Sequence, residues 1–278
     1  MDDANAVDVA GVPASTLNLI DLSSSDIRRS VSLLKQACLD SGFFYVINHG
    51  VSQDLMEEVF VQSRRFFGLP LSEKMKLLRN EKHRGYTPLI NGDYKEGYYI
   101  GVEVPEDDPR AQKPHFGPNF WPSEDILPRW RQAMEKFHLV TRIIALALDL
   151  EADFFDKPEI LGEPIATLRL LHYEVFDPFK GIYGAGAHSD FGFITLLATD
   201  DVPGLQICKN KNAKPPTWEY STLHRVIGNG QEQYSIAFFL EPNHDCLIEC
   251  LPTCMSEENP PKLDDTHADL NVYRREGA

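Results

Sequence analysis

The sequence has few cysteines, no long apolar run and fewer basic than acidic residues. Its 278 residues include only five cysteines, an odd number, and a chain of this length does not need disulfides to stabilise its core. No stretch approaches the roughly 18–20 consecutive apolar residues of a membrane-spanning helix. The opening residues 1–5 show neither the basic nor the hydrophobic segment of a signal peptide. We therefore expect a cytoplasmic protein that does not insert into a membrane.

The deficit of basic residues limits the possible partners. Lys and Arg number 27 against 42 Asp and Glu, which gives a formal net charge of −15. Nucleic acids and anionic membranes are bound by clustered cationic side chains, so we expect neither as a partner. A small anionic molecule remains possible, because one local Arg or Lys can bind a carboxylate whatever the total charge.

Three of the cysteines, Cys246, Cys250 and Cys254, follow one another at intervals of four residues. Structural zinc sites usually pair cysteines two to four positions apart and then supply a second pair. Here the two remaining cysteines, Cys38 and Cys208, stand alone in the chain. The pattern favours reduced thiols over a zinc site.

Helical patterns dominate the first half of the chain and short β-type runs the second half. The sequence predicts a strand at 17–22, helices at 26–39 and 53–67, a β-rich run at 43–47, a long amphipathic helix at 128–150, and strands at 167–176, 191–198, 205–207 and 234–240. Residues 83–122 are rich in Gly, Pro and aromatics and show little periodicity. This order indicates an α+β chain with a barrel or jelly roll in its second half. We place the N-terminal region at 1–125 and the core at 126–278.

The segment around His188 carries the most informative chemistry. Residues two apart on a strand project from the same face, so His188 and Asp190 can offer an imidazole and a carboxylate to one metal ion. His224, in the downstream segment Ser221–Val226, can supply a third ligand. Two histidines and one carboxylate on one face of an octahedral metal leave three positions open, as in non-haem iron(II) oxygenases. The structural alternative is a hydrogen-bonded His188–Asp190 pair with His224 on the surface.

Several segments together resemble the plant-type 2-oxoglutarate- and iron(II)-dependent dioxygenases, relatives of isopenicillin N synthase and the gibberellin oxidases. The matching segments are SGFFYVINHG at 41–50, FGLP at 67–70 followed by Glu73–Lys74, AHSDFGFITLL at 187–197 and DVPGLQ at 201–206. The likeness covers nearly the whole chain. It implies a double-stranded β-helix (jelly-roll) core with a helical N-terminal region.

The resemblance also implies an activity, its cofactors and its site residues. The expected reaction is the iron(II)-, 2-oxoglutarate- and O2-dependent hydroxylation or desaturation of a small organic molecule. His188, Asp190 and His224 correspond to the iron ligands. Tyr173 and Ser235 correspond to residues that bind the 2-oxoglutarate carboxylate.

Gln233 departs from the family pattern, in which an arginine precedes Ser235 by two residues. Arginine offers a charged, bidentate fork to a carboxylate, whereas glutamine offers only neutral hydrogen bonds. Because a hydrogen bond to a charged group contributes about 1.5–3 kcal/mol, we expect weaker binding of 2-oxoglutarate. Arg225 is a poor substitute, because it follows a ligand on a strand and should face the opposite way.

The interval between Asp190 and His224 is shorter than the family pattern requires. Relatives place two further strands before the segment that corresponds to Ser221–Val226, and here Glu219 and Tyr220 run straight into it. We therefore expect a jelly roll that lacks two core strands. Their loss would leave neighbouring strands with unpaired backbone groups unless the sheet closes the gap.

Other interpretations of function and of single residues remain open in the sequence. The chain could be a catalytically impaired isoform or a binding or regulatory family member, or it could use O2 without a keto acid, as isopenicillin N synthase does. A turn or packing role is expected for His49. His172 could line the pocket or pack in a strand, and Arg169, on the same strand face as Tyr173, could point into the barrel.

Overall fold

The computed structural model describes residues 6–8, 17–89, 94–121, 157–175, 183–190, 193–208, 223–250, 256–257 and 266–267. The helix expected at 128–150 lies outside the described residues. So does the junction at Glu219–Tyr220, where the sequence is shorter than the family pattern.

The elements follow the expected order, with helices before the main strands. The helices are α1 (Ile27–Asp40), α2 (Gln53–Phe67), α3 (Leu71–Lys74) and α4 (Pro158–Leu161), with 3-10 turns at Met75–Leu77 and Pro109–Gln112. The strands are β1 (Ala6–Asp8), β2 (Asn18–Asp21), β3 (Phe44–Ile47), β4 (Gly85–Thr87), β5 (Lys95–Gly101), β6 (Pro164–Tyr173), β7 (Tyr183–His188), β8 (Ile194–Thr199), β9 (Leu205–Cys208), β10 (His224–Ile227), β11 (Gln233–Asn243), β12 (Leu247–Ile248) and β13 (Thr266–His267).

Local signals explain the first helix and the strands beside it. The Asp26 carboxylate accepts a hydrogen bond from the Arg29 amide at 3.0 Å, which caps the N-terminus of α1. Leu34 and Ala37 recur at helical spacing and are buried. Leu34 packs with Ile20 of β2, which pairs in parallel with β3. These elements confirm the predictions for residues 17–67.

A five-stranded antiparallel sheet forms the larger face of the core. Its strand order is β4-β5-β6-β11-β8, and β6 pairs with β11 over nearly its whole length. One face of this sheet packs on α2 through a buried apolar cluster. The cluster comprises Phe60, Phe66, Phe67, Tyr86, Tyr98, Ile100, Ala166, Leu168, Leu170, Ile236, Phe238 and Leu240.

The other face of the large sheet meets a second, four-stranded sheet. That sheet has the order β1-β9-β10-β7 and is also antiparallel. Leu171 and Ala237 of the large sheet share a buried cluster with Ala185 of the second sheet. Two antiparallel sheets packed face to face form the jelly-roll core that the sequence indicated.

Residues 83–122 contain regular strands, although their sequence predicted none. β4 and β5 lie in this stretch and extend the large sheet beyond β6. Both faces of β5 are covered, so most of its residues are buried and no alternation of polar and apolar residues marks the strand. Nothing in the sequence indicated that these residues would join the barrel.

No helix in the described ranges combines the length and the apolar composition that crossing a bilayer requires.

Candidate active site

Two neighbouring strands and one loop position the three candidate metal ligands. His188 is the last residue of β7 and His224 the first of β10, and the two residues pair across the sheet. The sequence pattern predicted that Asp190 lies on the same strand as His188. In the structure, β7 ends at His188, and Asp190 lies two residues beyond its end. Its carboxylate still lies close to the two imidazoles.

The three side chains converge on one point. The ligand atoms of His188, Asp190 and His224 all lie within 4.8 Å of one another. Asp190 Oδ1 is 3.7 Å from Nε2 of each histidine. Metal–ligand bonds of about 2 Å place adjacent octahedral ligands about 3 Å apart, so a small contraction suffices to coordinate an ion.

Hydrogen bonding fixes the tautomer of His188. The Gly186 carbonyl lies 2.7 Å from His188 Nδ1 and accepts its proton, which leaves the Nε2 lone pair for a metal. Burial lowers the pKa of His188, and nearby His224 lowers it further, although the Gly186 carbonyl and Asp190 act in the opposite direction. A lowered pKa keeps the ring neutral, which is the form that binds metals.

The ligands differ in exposure. The side chain of His224 is 10% exposed, that of Asp190 25% and that of His188 45%. Phe43, from the N-terminal region, packs edge-on against His224 with ring centroids 5.4 Å apart. The site therefore has a buried side at His224 and an open side at His188.

The candidate co-substrate residues lie on the inward face of the large sheet. Tyr173 of β6 pairs with Gln233 of β11, and Ser235 pairs with Leu171. All three candidates, Tyr173, Gln233 and Ser235, are buried. Within the described part of the chain, Ser235 Oγ has no hydrogen-bond partner, and such a buried hydroxyl suits a ligand carboxylate.

Gln233 is held by a backbone contact. Its Nε2 donates to the Ile227 carbonyl at 3.0 Å, and its Oε1 lies so close to Gly204 that a Cβ there would collide with it. Gln233 thus links β11 to the ends of β9 and β10. The Gln233 amide therefore already spends one hydrogen bond on the Ile227 carbonyl, and less of it is left to bind a co-substrate.

Arg169 shares the inward face with Tyr173. Its guanidinium lies over the rings of Tyr99, at 4.4 Å, and Phe239, at 5.3 Å, and Nη2 donates to the Tyr99 hydroxyl. Arg169 therefore points into the barrel, as the sequence analysis had considered possible. Tyr99 belongs to β5, which brings it to this face of the sheet.

His172 lies on the opposite face and does not line the pocket. Its Nδ1 is 2.8 Å from Glu96 Oε1, and its ring stacks on Tyr234. Lys74 Nζ donates to the same carboxylate at 2.7 Å, and the Tyr86 hydroxyl also donates to it. We call Lys74, Tyr86, Glu96 and His172 the buried Glu96 cluster; nothing in the sequence indicated it, because its members are far apart in the chain.

Two further residues behave as expected. His49 Nδ1 accepts a hydrogen bond from the Val51 amide at 3.1 Å, which is a turn-stabilising role. Arg225 donates to Gln206 Oε1 at 2.8 Å and lies over the Tyr183 ring. It is therefore engaged away from Gln233 and does not replace the missing arginine.

The residues present fit an iron ion, and they fit 2-oxoglutarate in part. Two imidazoles and one carboxylate are the donor set that non-haem iron(II) oxygenases use. The unsatisfied Ser235 hydroxyl fits a carboxylate ligand. The permanent charge that an arginine at position 233 would bring is absent from that position.

Comparison with known proteins places the chain in a family. Residues 17–124 match a model of the non-haem dioxygenase N-terminal region, described from morphine synthesis, and residues 164–242 match the 2OG-Fe(II) oxygenase superfamily. Azadirone synthase LFS of Melia azedarach is 45% identical over 93% of this chain and 91% of its own length. Kihadalactone A synthase LFS of Citrus sinensis is 46% identical over 94% and 92%.

Solved structures agree with this placement. A full-length Neurospora crassa protein, solved in complex with alpha-KG and 5-formyluracil, superimposes with a TM-score of 0.74 and 28% identity, covering 93% of this chain and 95% of its own. The chain therefore belongs to the 2OG-Fe(II) oxygenase superfamily. Its members are enzymes that use iron(II) and 2-oxoglutarate to oxidise small molecules.

The alignments also bear on the shortened interval. The match to azadirone synthase spans 304 positions, although it takes in only 93% of the 278 residues of this chain. The relative therefore carries many residues for which this chain has no counterpart. The shorter aligned span agrees with the expected shortening, and its place between Asp190 and His224 stays a prediction.

Proposed function

We propose that His188, Asp190 and His224 bind the iron(II) ion and that Tyr173 and Ser235 bind 2-oxoglutarate. The observation that carries this assignment is the convergence of the three ligand atoms within 4.8 Å. When bound, iron and 2-oxoglutarate supply the oxidising power, using O2 and releasing succinate and CO2. The protein holds the three ligands, keeps the His188 proton on Nδ1 toward Gly186 and orients the carboxylates.

We further propose that the substrate is a small, largely apolar molecule held against the aromatic wall of the barrel. Tyr99 and Phe239 supply this wall, and Arg169 between them can bind a carbonyl or an anionic group. The similarity to azadirone synthase and kihadalactone A synthase makes the substrates of those two enzymes the first compounds to test. Hydroxylation and desaturation are both consistent with this site.

We also propose that the protein is a plant-type enzyme and that it acts in the cytoplasm. Two relatives that match over more than 90% of both chains come from Melia azedarach and Citrus sinensis. Among the described residues, Cys208 and Cys246 are free thiols, which suits a reducing compartment.

The direct test is iron(II) binding by the wild type and by His188→Ala. We expect iron(II) to raise the melting temperature of the wild type, because a ligand that binds only the folded state stabilises it. His188→Ala should lose this shift and also substrate-dependent succinate formation. His49→Ala, which removes a histidine from a turn, serves as the control and should retain both. Equal shifts in the wild type and His188→Ala would contradict the ligand assignment.

A second candidate function is a catalytically impaired isoform that binds ligands without turnover. The hydrogen bond from Gln233 to Ile227 favours it, as does the aligned span, which is shorter here than in azadirone synthase. Its signature is iron(II) binding without succinate formation over a broad range of 2-oxoglutarate concentrations. Turnover at low 2-oxoglutarate concentrations would exclude it.

A further inference from the structure

Lys95 occupies an unexpected place beside the co-substrate residues. It opens β5, where it pairs with Tyr173 of β6, and Tyr173 in turn pairs with Gln233 of β11. Directly paired residues of an antiparallel sheet project from the same face. Lys95, Tyr173 and Gln233 therefore form one row across the inward face.

The row brings an ammonium group within reach of the co-substrate pocket. Neighbouring strands lie about 4.8 Å apart, so Lys95 starts beside Tyr173 and about 10 Å from the backbone of Gln233. Its four-carbon stem can extend across Tyr173 toward Ser235. Lys95 is partly buried, and its stem can pack along the sheet while the ammonium faces the pocket.

Among the described residues, Arg169 and Arg225 also lie on the strands around the pocket. Arg169 lies opposite Ala237, two same-face steps along β11 from Gln233, and its guanidinium contacts Tyr99 and Phe239. Arg225 donates to Gln206 on the far side of its strand. Of these three cations, Lys95 alone lies in register with Tyr173.

We propose that Lys95 supplies the positive charge that binds the distal carboxylate of 2-oxoglutarate, in place of the arginine that relatives carry at position 233. Tyr173 and Ser235 add hydroxyl donors to the same carboxylate. This inference rests on the proposed function, because it assumes that a keto acid binds the iron. A lysine can do this as a point charge without the bidentate geometry of arginine.

The test compares two keto acids that differ only at the distal end. Anaerobic iron(II)-loaded protein is titrated with 2-oxoglutarate or with 2-oxopentanoate, which lacks the distal carboxylate, and binding is followed by the visible absorption band of the chelated keto acid. We expect the wild type to prefer 2-oxoglutarate. Lys95→Met should raise the Kd for 2-oxoglutarate about 10- to 100-fold and leave the Kd for 2-oxopentanoate within about twofold.

Two variants sharpen the result. Lys113→Met removes a surface lysine that pairs with Glu163 and should change neither Kd. Gln233→Arg in the Lys95→Met background should restore tight binding of 2-oxoglutarate, because the charge returns at the position relatives use.

Other results would contradict either the role of Lys95 or the proposed function. Unchanged 2-oxoglutarate binding by Lys95→Met, or equal weakening of both keto acids, rules out recognition of the distal carboxylate by Lys95. Equal affinity of the wild type for both keto acids also rules out this role of Lys95. It leaves the proposed iron and keto-acid site unaffected. If neither keto acid gives a band although iron is bound, the proposed function fails and the role of Lys95 fails with it.

Discussion

At the scale of single residues, the barrel contains polar groups that the folded state does not fully compensate. Burial raises the pKa of Glu241 on β11 to about 7, against an ordinary value of 4.5. Ser235, on the same strand, buries a hydroxyl that finds no partner among the described residues. Natural proteins retain such groups mainly where function requires them.

Glu241→Gln should stabilise the protein in a pH-dependent way. The folded state favours the protonated carboxyl, so the cost of ionising Glu241 is absent below pH 4.5, grows as the pH rises and is complete above about pH 7. The variant should gain up to about 3 kcal/mol at pH 8 and little at pH 4.5. Urea unfolding at both pH values measures this. The exposed Glu106→Gln is the control, and a gain independent of pH would refute the explanation.

Ser235→Ala should separate binding from stability. Removing an unsatisfied buried hydroxyl should leave the free energy of unfolding of the ligand-free protein unchanged or slightly raised. Affinity for 2-oxoglutarate should fall by about 10- to 100-fold, because one hydrogen bond to the charged carboxylate of the ligand is lost. Thermal unfolding without ligand and a 2-oxoglutarate titration provide the two measurements. A clear loss of stability would show that the hydroxyl has a structural partner.

At the scale of elements, the buried Glu96 cluster joins the N-terminal region to the barrel. Lys74 comes from α3, Tyr86 from β4 and His172 from β6, and all three meet the Glu96 carboxylate. Burial alone would raise the pKa of Glu96, but hydrogen bonds from His172, Lys74 and Tyr86 outweigh it and hold the pKa below its ordinary value. The cluster therefore contributes stability that is present above about pH 4.5 and is lost as the pH falls through the lowered pKa.

Lys74→Met should be strongly destabilising. It leaves the buried Glu96 carboxylate without its cation, and breaking a buried ion pair from one side costs about 3–5 kcal/mol. Lys76→Met is the matched control, because Lys76 pairs with Glu73 on the surface and such pairs contribute about 0–1 kcal/mol. Chemical denaturation at pH 7 compares them. Similar losses in both variants would contradict a special role for the cluster.

At the scale of the whole molecule, the chain start forms part of the second sheet. β1 pairs with β9 at the edge of that sheet. An unpaired edge strand invites association with other chains. The pairing with β1 covers the edge of β9.

Deleting residues 1–9 should expose that edge. We expect the melting temperature to fall by about 2–4 °C per kcal/mol of lost pairing, and aggregation on heating to increase. Deleting residues 1–5, which leaves β1 intact, is the control and should change neither. Light scattering during a thermal ramp records both effects, and identical behaviour of the two truncations would argue against the pairing.

Sequence reasoning predicted the elements whose signals are local and missed those set by distant contacts. The Asp26 cap and the spacing of Leu34 and Ala37 define α1, and the two-residue period places Arg169 on the face of Tyr173. The sequence did not reveal β5, because both faces of that strand are covered. The partner of Gln233 could not be foreseen either, since Ile227 reaches it only through the turn between two strands.

The candidate ligands were predictable because their chemistry is specific. His188, Asp190 and His224 converge as the motif indicated, although β7 ends before Asp190. Their assignment to iron stays a prediction until binding is measured, as do the roles of Tyr173, Gln233 and Ser235. The division of the chain at residues 125 and 126 also stays a prediction.

The position of β5 has a consequence for building hybrid enzymes. β5 comes from the first half of the chain, yet it hydrogen-bonds along β6 and brings Lys95 and Tyr99 to the inward face. An exchange of barrels between relatives with a crossover near residue 126 would combine one parent's metal ligands with the other parent's pocket wall. A crossover ahead of β4 keeps β5 and the barrel strands together in one parent, so selectivity set by this wall should be inherited with that longer fragment.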